Sequence, residues 1–127
     1  MADSRKKILL VEDDLALAQI YKSRFELEGF MVQHAPDGEK ALTIAVSFKP
    51  DLILMDVMMP KLNGFDALDI LRNTPQLKDI RVIILTALGQ SKDMERAQAL
   101  GADEYLIKSQ IVFGDVVARV KRSLGEI

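Results

Sequence analysis

Short apolar runs alternate along this chain with segments in which apolar residues recur every three or four positions. Residues 8–11, 52–55 and 82–85 are apolar throughout, which is typical of strands buried on both faces of a sheet. Runs at 30–35 and 105–107 predict two further strands, the first at an edge because it contains polar residues. Helical spacing is found in segments 14–28, 39–48, 65–74, 91–100 and 113–124.

Five strands that alternate with five helices predict an α/β domain, in which a parallel sheet carries helices on both faces. We expect the flavodoxin-like doubly wound (βα)5 arrangement, with a five-stranded sheet of order 2-1-3-4-5. The whole chain, residues 1–127, is expected to form this single domain without an output domain.

The helical stripes predict which side chains face the sheet. In the first helix, Ile20 and Phe25 both belong to the apolar stripe, and in the second helix Val46 is expected to face inward. The stripe of the fourth helix is thin, so we expect this helix to be the least firmly held. Ser91 is expected to cap its first turn.

Composition limits the chemistry of the chain without identifying it. Lys and Arg total 17 and Asp and Glu total 19, a formal net charge of −2 that gives no general reason to bind nucleic acid. Cysteine is absent, and the single histidine, His34, is expected to be exposed and to have no metal role. No apolar run is long enough to span a membrane, and the N-terminal sequence lacks the features of a signal peptide. We therefore expect a cytoplasmic protein that binds neither a membrane nor nucleic acid directly.

Polar residues stand directly after four of the predicted strands. They are Glu12, Asp13 and Asp14 after the first strand, Asp56 after the third, Thr86 after the fourth and Lys108 after the fifth. Because the carboxyl ends of parallel strands meet at one edge, and the first and third strands are neighbours in this order, Asp13 and Asp56 should lie close together.

Carboxylates at such short range repel each other, so they either hold a proton or share a cation. Mg²⁺ suits oxygen ligands and keeps room for a phosphoryl oxygen. Lys108 and Thr86 would add a cation and a hydroxyl donor where charge develops on phosphoryl oxygens. An aspartate carboxylate can itself be the nucleophile that forms an acyl phosphate.

Four segments at these strand ends resemble the motifs of the response-regulator receiver domain of two-component signalling (CheY-like). They are Val11-Glu12-Asp13-Asp14, Asp56-Val57-Met58-Met59-Pro60 with Asn63-Gly64, Leu85-Thr86-Ala87 and Tyr105-Leu106-Ile107-Lys108. One such motif alone is weak evidence, but the ordered set is specific and the resemblance covers essentially the whole chain.

The resemblance implies that Asp56 accepts a phosphoryl group from the phosphohistidine of a sensor histidine kinase or a phosphotransfer protein. Asp13, Asp56 and the backbone carbonyl of Met58 would bind Mg²⁺ or Mn²⁺, and Glu12 would hold a metal-bound water. The chain would then be a signalling phosphoacceptor rather than an enzyme, catalysing only its own phosphorylation and slow dephosphorylation.

The same resemblance implies how the phosphoryl group is bound and sensed. Thr86 and Lys108 would contact it, and the small side chain of Ala87 would leave it accessible. Tyr105 would act with Thr86 as the switch, moving inward when Thr86 is drawn to the phosphate. A downstream protein would bind the face formed by residues 91–124, and the chain would be a monomer or a weak, phosphorylation-linked dimer.

Two features depart from the family pattern. Ser109 stands where the family usually has a proline in a cis peptide, and because a cis bond before a non-proline residue costs about 3–4 kcal/mol, we expect a trans bond after Lys108. Met58 and Leu88 occupy the two positions that control the hydrolytic water in this family. Neither side chain can hydrogen-bond a water, so we expect slow decay of the acyl phosphate.

Three other functions stay open on the sequence alone. A haloacid-dehalogenase-like phosphatase would also use a strand-end aspartate, but it needs a second acid where Met58 stands. A nucleotide or flavin binder needs a cradle of glycine and hydroxyl residues after the first strand, where this chain has three acids. A receiver-like module that is never phosphorylated is disfavoured by the intact acceptor, metal and lysine positions.

Overall fold

The computed structural model describes residues 4–126, in which five strands alternate with five α-helices. The strands are β1 (Lys7–Val11), β2 (Met31–Ala35), β3 (Leu52–Met55), β4 (Arg81–Thr86) and β5 (Glu104–Ile107). The helices are α1 (Leu15–Leu27), α2 (Gly38–Phe48), α3 (Gly64–Arg72), α4 (Ser91–Ala99) and α5 (Phe113–Ser123), and a 3-10 turn covers Lys108–Gln110. Within the described range, no helix has both the length and the apolar content needed to cross a bilayer.

The strands form one parallel sheet in the order β2-β1-β3-β4-β5, as predicted. The register pairs Val11 with Met55 across the central pair β1 and β3. The two strands therefore end at the same level, and the residues that follow them, Glu12 and Asp56, leave the sheet side by side. This register is the feature of the fold that assembles the site.

The strands β1, β3 and β4 bury both of their faces because helices cover both sides of the sheet, whereas the edge strands β2 and β5 are only partly buried. Leu9 and Ile53 belong to a core that includes buried residues of α2, α3 and α4. Ile8 and Leu52, their neighbours along the strands, belong to a second core with α1 and α5. The unbroken apolar runs of the sequence follow directly from this double burial.

Two predicted inward positions face solvent instead. Ile20 of α1 is 55% exposed and Val46 of α2 is 54% exposed. The residues buried by these helices are Ala18, Tyr21 and Phe25 in α1, and Gly38, Ala41, Ala45 and Phe48 in α2. Ile20 and Val46 lie beside the arc that each helix buries, so their side chains reach the surface.

Helix α4 is held mainly at its C-terminal end. Ala97 is its only buried residue, and its first turn begins at Gln90 without the side-chain cap that was expected from Ser91. Beyond its last turn, Arg72 of α3 donates to the Gly101 carbonyl from Nε at 3.0 Å and from Nη2 at 2.9 Å. The burial and capping pattern agrees with the prediction that this helix is the least firmly packed.

An ion-pair cluster joins the C-terminal end of α1 to α5. Lys121 Nζ donates to Glu28 Oε1 at 2.7 Å, and Arg24 Nε donates to Glu28 Oε2 at 3.0 Å. The bond from Lys121, and then that from Arg24, hold the pKa of the Glu28 carboxyl below its ordinary value of 4.5. A depressed carboxyl pKa means that these contacts stabilise the folded state only while Glu28 is ionised.

Replacing Glu28 by glutamine should make the free energy of unfolding less dependent on pH in the acid range. The contribution of these pairs is fully present above the ordinary pKa of 4.5 and is lost as the pH falls through the lower folded-state pKa. Glu28→Gln should therefore unfold at lower urea concentration than wild type near neutral pH, and the two midpoints should converge in acid. Glu126→Gln, at an exposed carboxyl, is the control, and a constant difference between wild type and Glu28→Gln at all pH values would contradict the assignment.

Candidate functional site

Three carboxylates meet at the carboxyl edge of β1 and β3. Glu12, Asp13 and Asp56 each offer an oxygen, and these three oxygens all lie within 4.8 Å of one another. Glu12 and Asp56 are buried, with exposed fractions of 4% and 6%, whereas Asp13 is exposed. The cluster thus has two buried acids behind one that faces solvent.

The three acids in the turn from β1 into α1 have different structural roles. The Asp14 side chain caps α1 by accepting a hydrogen bond from the Leu17 amide at 3.1 Å. The Asp14 amide donates to Glu12 Oε2 at 3.1 Å, which orients the Glu12 carboxylate. Asp14 is therefore a helix cap, and Glu12 and Asp13 are the acids left to bind a ligand.

Both oxygens of Asp56 are engaged by groups from different parts of the chain. The Met58 amide donates to Oδ1 at 2.9 Å, and Lys108 Nζ donates to Oδ2 at 2.9 Å. The same Lys108 ammonium donates to Glu12 Oε1 at 2.9 Å. One lysine from the end of β5 thus forms ion pairs with both buried acids, at the ends of β1 and β3.

Burial and this ion pairing oppose each other in the protonation of the cluster. Burial raises the pKa of the Glu12 carboxyl above its ordinary value, although hydrogen bonds from Lys108 and the Asp14 amide partly offset the rise. Burial lowers the pKa of Lys108, but its hydrogen bonds to Asp56 and Glu12 outweigh that effect, so the net pKa is raised. The lysine therefore stays charged at neutral pH and supplies the counter-charge that the acids need.

A short hydrogen-bonded path links Thr86 to Tyr105 through the backbone of Leu88. The Leu88 amide lies 3.4 Å from Thr86 Oγ1, and the Tyr105 hydroxyl donates to the Leu88 carbonyl at 2.8 Å. Thr86 is fully buried at the end of β4, and Ala87, the next residue, is exposed. Displacing Thr86 would therefore disturb the residue to which the Tyr105 hydroxyl is bonded.

The peptide bond between Lys108 and Ser109 is trans, as expected. A 3-10 turn over Lys108–Gln110 continues the chain directly from β5. Lys108 still reaches both Asp56 and Glu12 from this backbone. The serine therefore does not remove the lysine from the site.

One contact of the site was not predicted. His34 is half-buried rather than exposed, and its Nε2 donates to the Glu12 carbonyl at 2.7 Å. The pairing of Leu10 with His34 across β1 and β2 places the imidazole beside the end of β1. The only sequence signal is the strand order, which makes β2 the neighbour of β1.

The donor set fits a hard divalent cation. Glu12, Asp13 and Asp56 offer carboxylate oxygens only, which suit Mg²⁺ or Mn²⁺ rather than a soft metal. The Met58 amide donates to Asp56 Oδ1 at 2.9 Å, so the loop that follows β3 begins in contact with the Asp56 carboxylate. A cation here would compete with Lys108 for the oxygens of Asp56 and Glu12.

Comparison with known proteins identifies the class to which this fold and site belong. Residues 8–121 match the family described as the response regulator receiver domain, and the chain belongs to that family, whose members bind Mg²⁺ at an acidic pocket. It is a receiver domain of the two-component response regulators. The resemblance of the four strand-end motifs is therefore confirmed at the level of the family.

Solved structures and curated proteins agree with this assignment. The receiver domain of the Francisella response regulator 1452 has a TM-score of 0.87 and 33% identity over 95% of this chain and 98% of its own. Among curated relatives, the transcriptional regulatory protein CpxR of Escherichia coli is 48% identical over 93% of this chain and 49% of its own length. The DNA-binding dual master transcriptional regulator RpaA of Synechocystis sp. is 41% identical over 93% of this chain and 48% of its own length. The chain thus spans about half the length of the curated relatives it matches.

These relatives correct the expected set of partners. The expectation of no nucleic-acid partner is contradicted, because the similar protein RpaA is named as a DNA-binding transcriptional regulator and CpxR as a transcriptional regulatory protein. That expectation was drawn from a net charge of −2. The charge describes the matched receiver half only and holds no information about the half of those relatives that this chain does not match.

Replacing Lys108 by methionine should strengthen Mg²⁺ binding while destabilising the metal-free protein. The ammonium now occupies oxygens of Asp56 and Glu12 that a cation would use, and each charge-assisted hydrogen bond is worth about 1.5–3 kcal/mol. Removing it should lower the Mg²⁺ dissociation constant by roughly tenfold and should lower the urea midpoint without Mg²⁺. Calorimetric titration and urea unfolding test both effects, with Lys92→Met on α4 as the control; weaker Mg²⁺ binding in Lys108→Met would oppose this account.

Proposed function

We propose that this protein is a phosphoaccepting receiver in which Asp56 takes a phosphoryl group from the phosphohistidine of a sensor histidine kinase or phosphotransfer protein. The observation that carries the proposal is the setting of Asp56. It is buried at the carboxyl edge, has Glu12 and Asp13 within reach of a shared cation, and accepts a hydrogen bond from Lys108 at 2.9 Å.

In the transfer step, an Asp56 carboxylate oxygen attacks phosphorus while the bond from phosphorus to the donor imidazole nitrogen breaks. The nitrogen keeps the electron pair of that bond, and the product on Asp56 is an acyl phosphate. Bound Mg²⁺ would neutralise charge on the phosphoryl oxygens, with Asp13, Asp56 and the Met58 carbonyl as ligands and Glu12 holding a metal-bound water. Lys108 would exchange its contact with Asp56 for one with a phosphoryl oxygen.

The response would start at Thr86. Its hydroxyl would turn to a phosphoryl oxygen, with Ala87 too small to block access, and would no longer accept from the Leu88 amide. Tyr105, whose hydroxyl bonds to the Leu88 carbonyl at 2.8 Å, would then change its position. Since α4 buries only one residue, it is the part of the face formed by residues 91–124 that would rearrange with the least cost in buried contacts.

The curated relatives support a role in transcriptional control. RpaA and CpxR are named as transcriptional regulators, and a receiver of this kind would set the activity of a DNA-binding unit according to its phosphorylation. A kinase-linked switch of this type would act in the cytoplasm. The receiver would catalyse its own phosphorylation and slow dephosphorylation and would not turn over a separate substrate.

Incubation with Mg²⁺ and acetyl phosphate should add a single phosphoryl group to the protein, observed by intact-mass measurement. Asp56→Asn should abolish the adduct because the amide is a poor nucleophile, whereas Asp69→Asn, at an exposed acid of α3, should keep it. Steady release of phosphate without an adduct would indicate an enzyme instead. A wild-type protein that never changes mass would indicate a module that is not phosphorylated.

The phosphorylated form should decay slowly because Met58 and Leu88 cannot hydrogen-bond a hydrolytic water. Met58 is 53% exposed and Leu88 is half-buried, so both lie where a polar substitute can reach solvent. The double variant Met58→Asn with Leu88→Glu should lose its phosphoryl group faster than wild type. The half-life of purified phosphoprotein is the measurement, and equal or slower decay in the double variant would remove these two residues as the cause.

A further inference from the structure

The loop that follows Asp56 lies against the first turn of α2. This acceptor loop, residues 57–63, meets α2 at Gly38, which is buried. A Cβ atom on Gly38 would lie 3.0 Å from the Leu62 carbonyl carbon and 3.0 Å from the Leu62 Cβ, and it would overlap the Leu62 carbonyl oxygen. Only glycine fits between this helix and this loop without moving one of them.

Backbone hydrogen bonds close the base of the acceptor loop and cross its tip, and so couple the two parts of the loop. The Gly64 amide donates to the Val57 carbonyl at 3.0 Å, and Gly64 itself packs closely on Val57 and the Asp56 carbonyl. Within the loop, the Leu62 amide donates to the Pro60 carbonyl at 2.9 Å. A push on Leu62 would therefore tilt the loop about its base.

Met58 lies at that base, where the metal would bind. Its amide is already fixed to Asp56 Oδ1 at 2.9 Å, and its carbonyl is the proposed third protein ligand. A second contact between the start of α2 and the loop is the ion pair of Lys61 Nζ with the buried Asp37 carboxylate, 3.7 Å apart. Asp37 and Gly38, at the start of α2, thus contact the tip of the loop, although α2 contributes no ligand to the proposed metal site.

We propose that Gly38 is a positioning residue for the phosphorylation site: the absence of its side chain lets Leu62 lie against α2, and this contact holds the Met58 carbonyl in place for the metal. The inference rests on the proposed function, because it assigns Gly38 a role through that carbonyl. A side chain at position 38 tilts the acceptor loop and weakens metal binding without touching any ligand.

The experiment compares Gly38→Ala with Gly114→Ala in the full chain. Both glycines lie in the first turn of a helix, but a Cβ on Gly114 would meet nothing within 4 Å. Gly38→Ala should weaken Mg²⁺ binding, titrated calorimetrically, by roughly tenfold, the size seen when groups that orient metal ligands are changed. Gly114→Ala should bind Mg²⁺ as wild type does.

Loss of stability is separated from mispositioning by a second control and a second measurement. Val120→Ala, in the buried face of α5 on the other side of the sheet, should lower the urea midpoint but leave Mg²⁺ affinity unchanged. Amide hydrogen exchange without Mg²⁺ should speed up at residues 57–63 in Gly38→Ala but not in Gly114→Ala or Val120→Ala. If Gly38→Ala does not fold, Leu62→Gly removes the loop's Cβ from the same contact and should also weaken Mg²⁺ binding and speed exchange in the loop.

The outcomes separate this inference from the function on which it rests. If wild type binds Mg²⁺ and accepts a phosphoryl group but Gly38→Ala matches it in affinity and loop exchange, the inference is overturned and the function stands. The inference is also overturned if Val120→Ala has the same urea midpoint as Gly38→Ala and loses as much Mg²⁺ affinity. General destabilisation would then be the cause of the loss. If wild type itself neither binds Mg²⁺ nor takes up phosphate, the function fails and the inference fails with it.

Discussion

The ammonium group of Lys108 joins the ends of three strands, and the arrangement of the site depends on that contact. It lies 2.9 Å from both Glu12 and Asp56, which are buried acids at the ends of β1 and β3. Without a counter-charge, two buried carboxylates at this distance would repel each other. Under the proposed function a metal and a phosphoryl group would replace the lysine, so the same contact would stabilise the resting protein and leave the acids available for chemistry.

The sequence predicted this site because each member stands at a strand end. Once the strands are parallel and β1 and β3 are neighbours, the register of Val11 with Met55 brings Glu12 and Asp56 together regardless of the intervening helices. The prediction was poorer wherever it depended on how a helix lies on the sheet. Ile20 and Val46 are exposed because each lies outside the arc that its helix buries, and a periodic pattern does not show which side of an apolar stripe packs on the sheet.

Contacts between loops and distant segments had no local signal at all. His34 donates a hydrogen bond to the Glu12 carbonyl, and Gly38 packs against the Leu62 backbone. Neither a histidine nor a glycine indicates such a partner from the sequence alone. The expected partners failed for a different reason. Net charge is an average over the chain, and it cannot report on regions of the relatives that lie beyond the matched half.

The site divides into a rigid side and a soft side, and this division suits a switch. The acceptor loop is closed on Gly64 and packs closely on Gly38, so the backbone next to the proposed phosphoacceptor Asp56 has little room to move. On the other side, α4 buries only Ala97, and its first turn has no side-chain cap. A phosphoryl group bound between the acceptor loop and α4 would change the conformation of the loop little, because the loop already has the geometry that binding requires. The free energy of its contact with Thr86 would instead be expressed in the soft side, and the response therefore appears away from the reacting atoms.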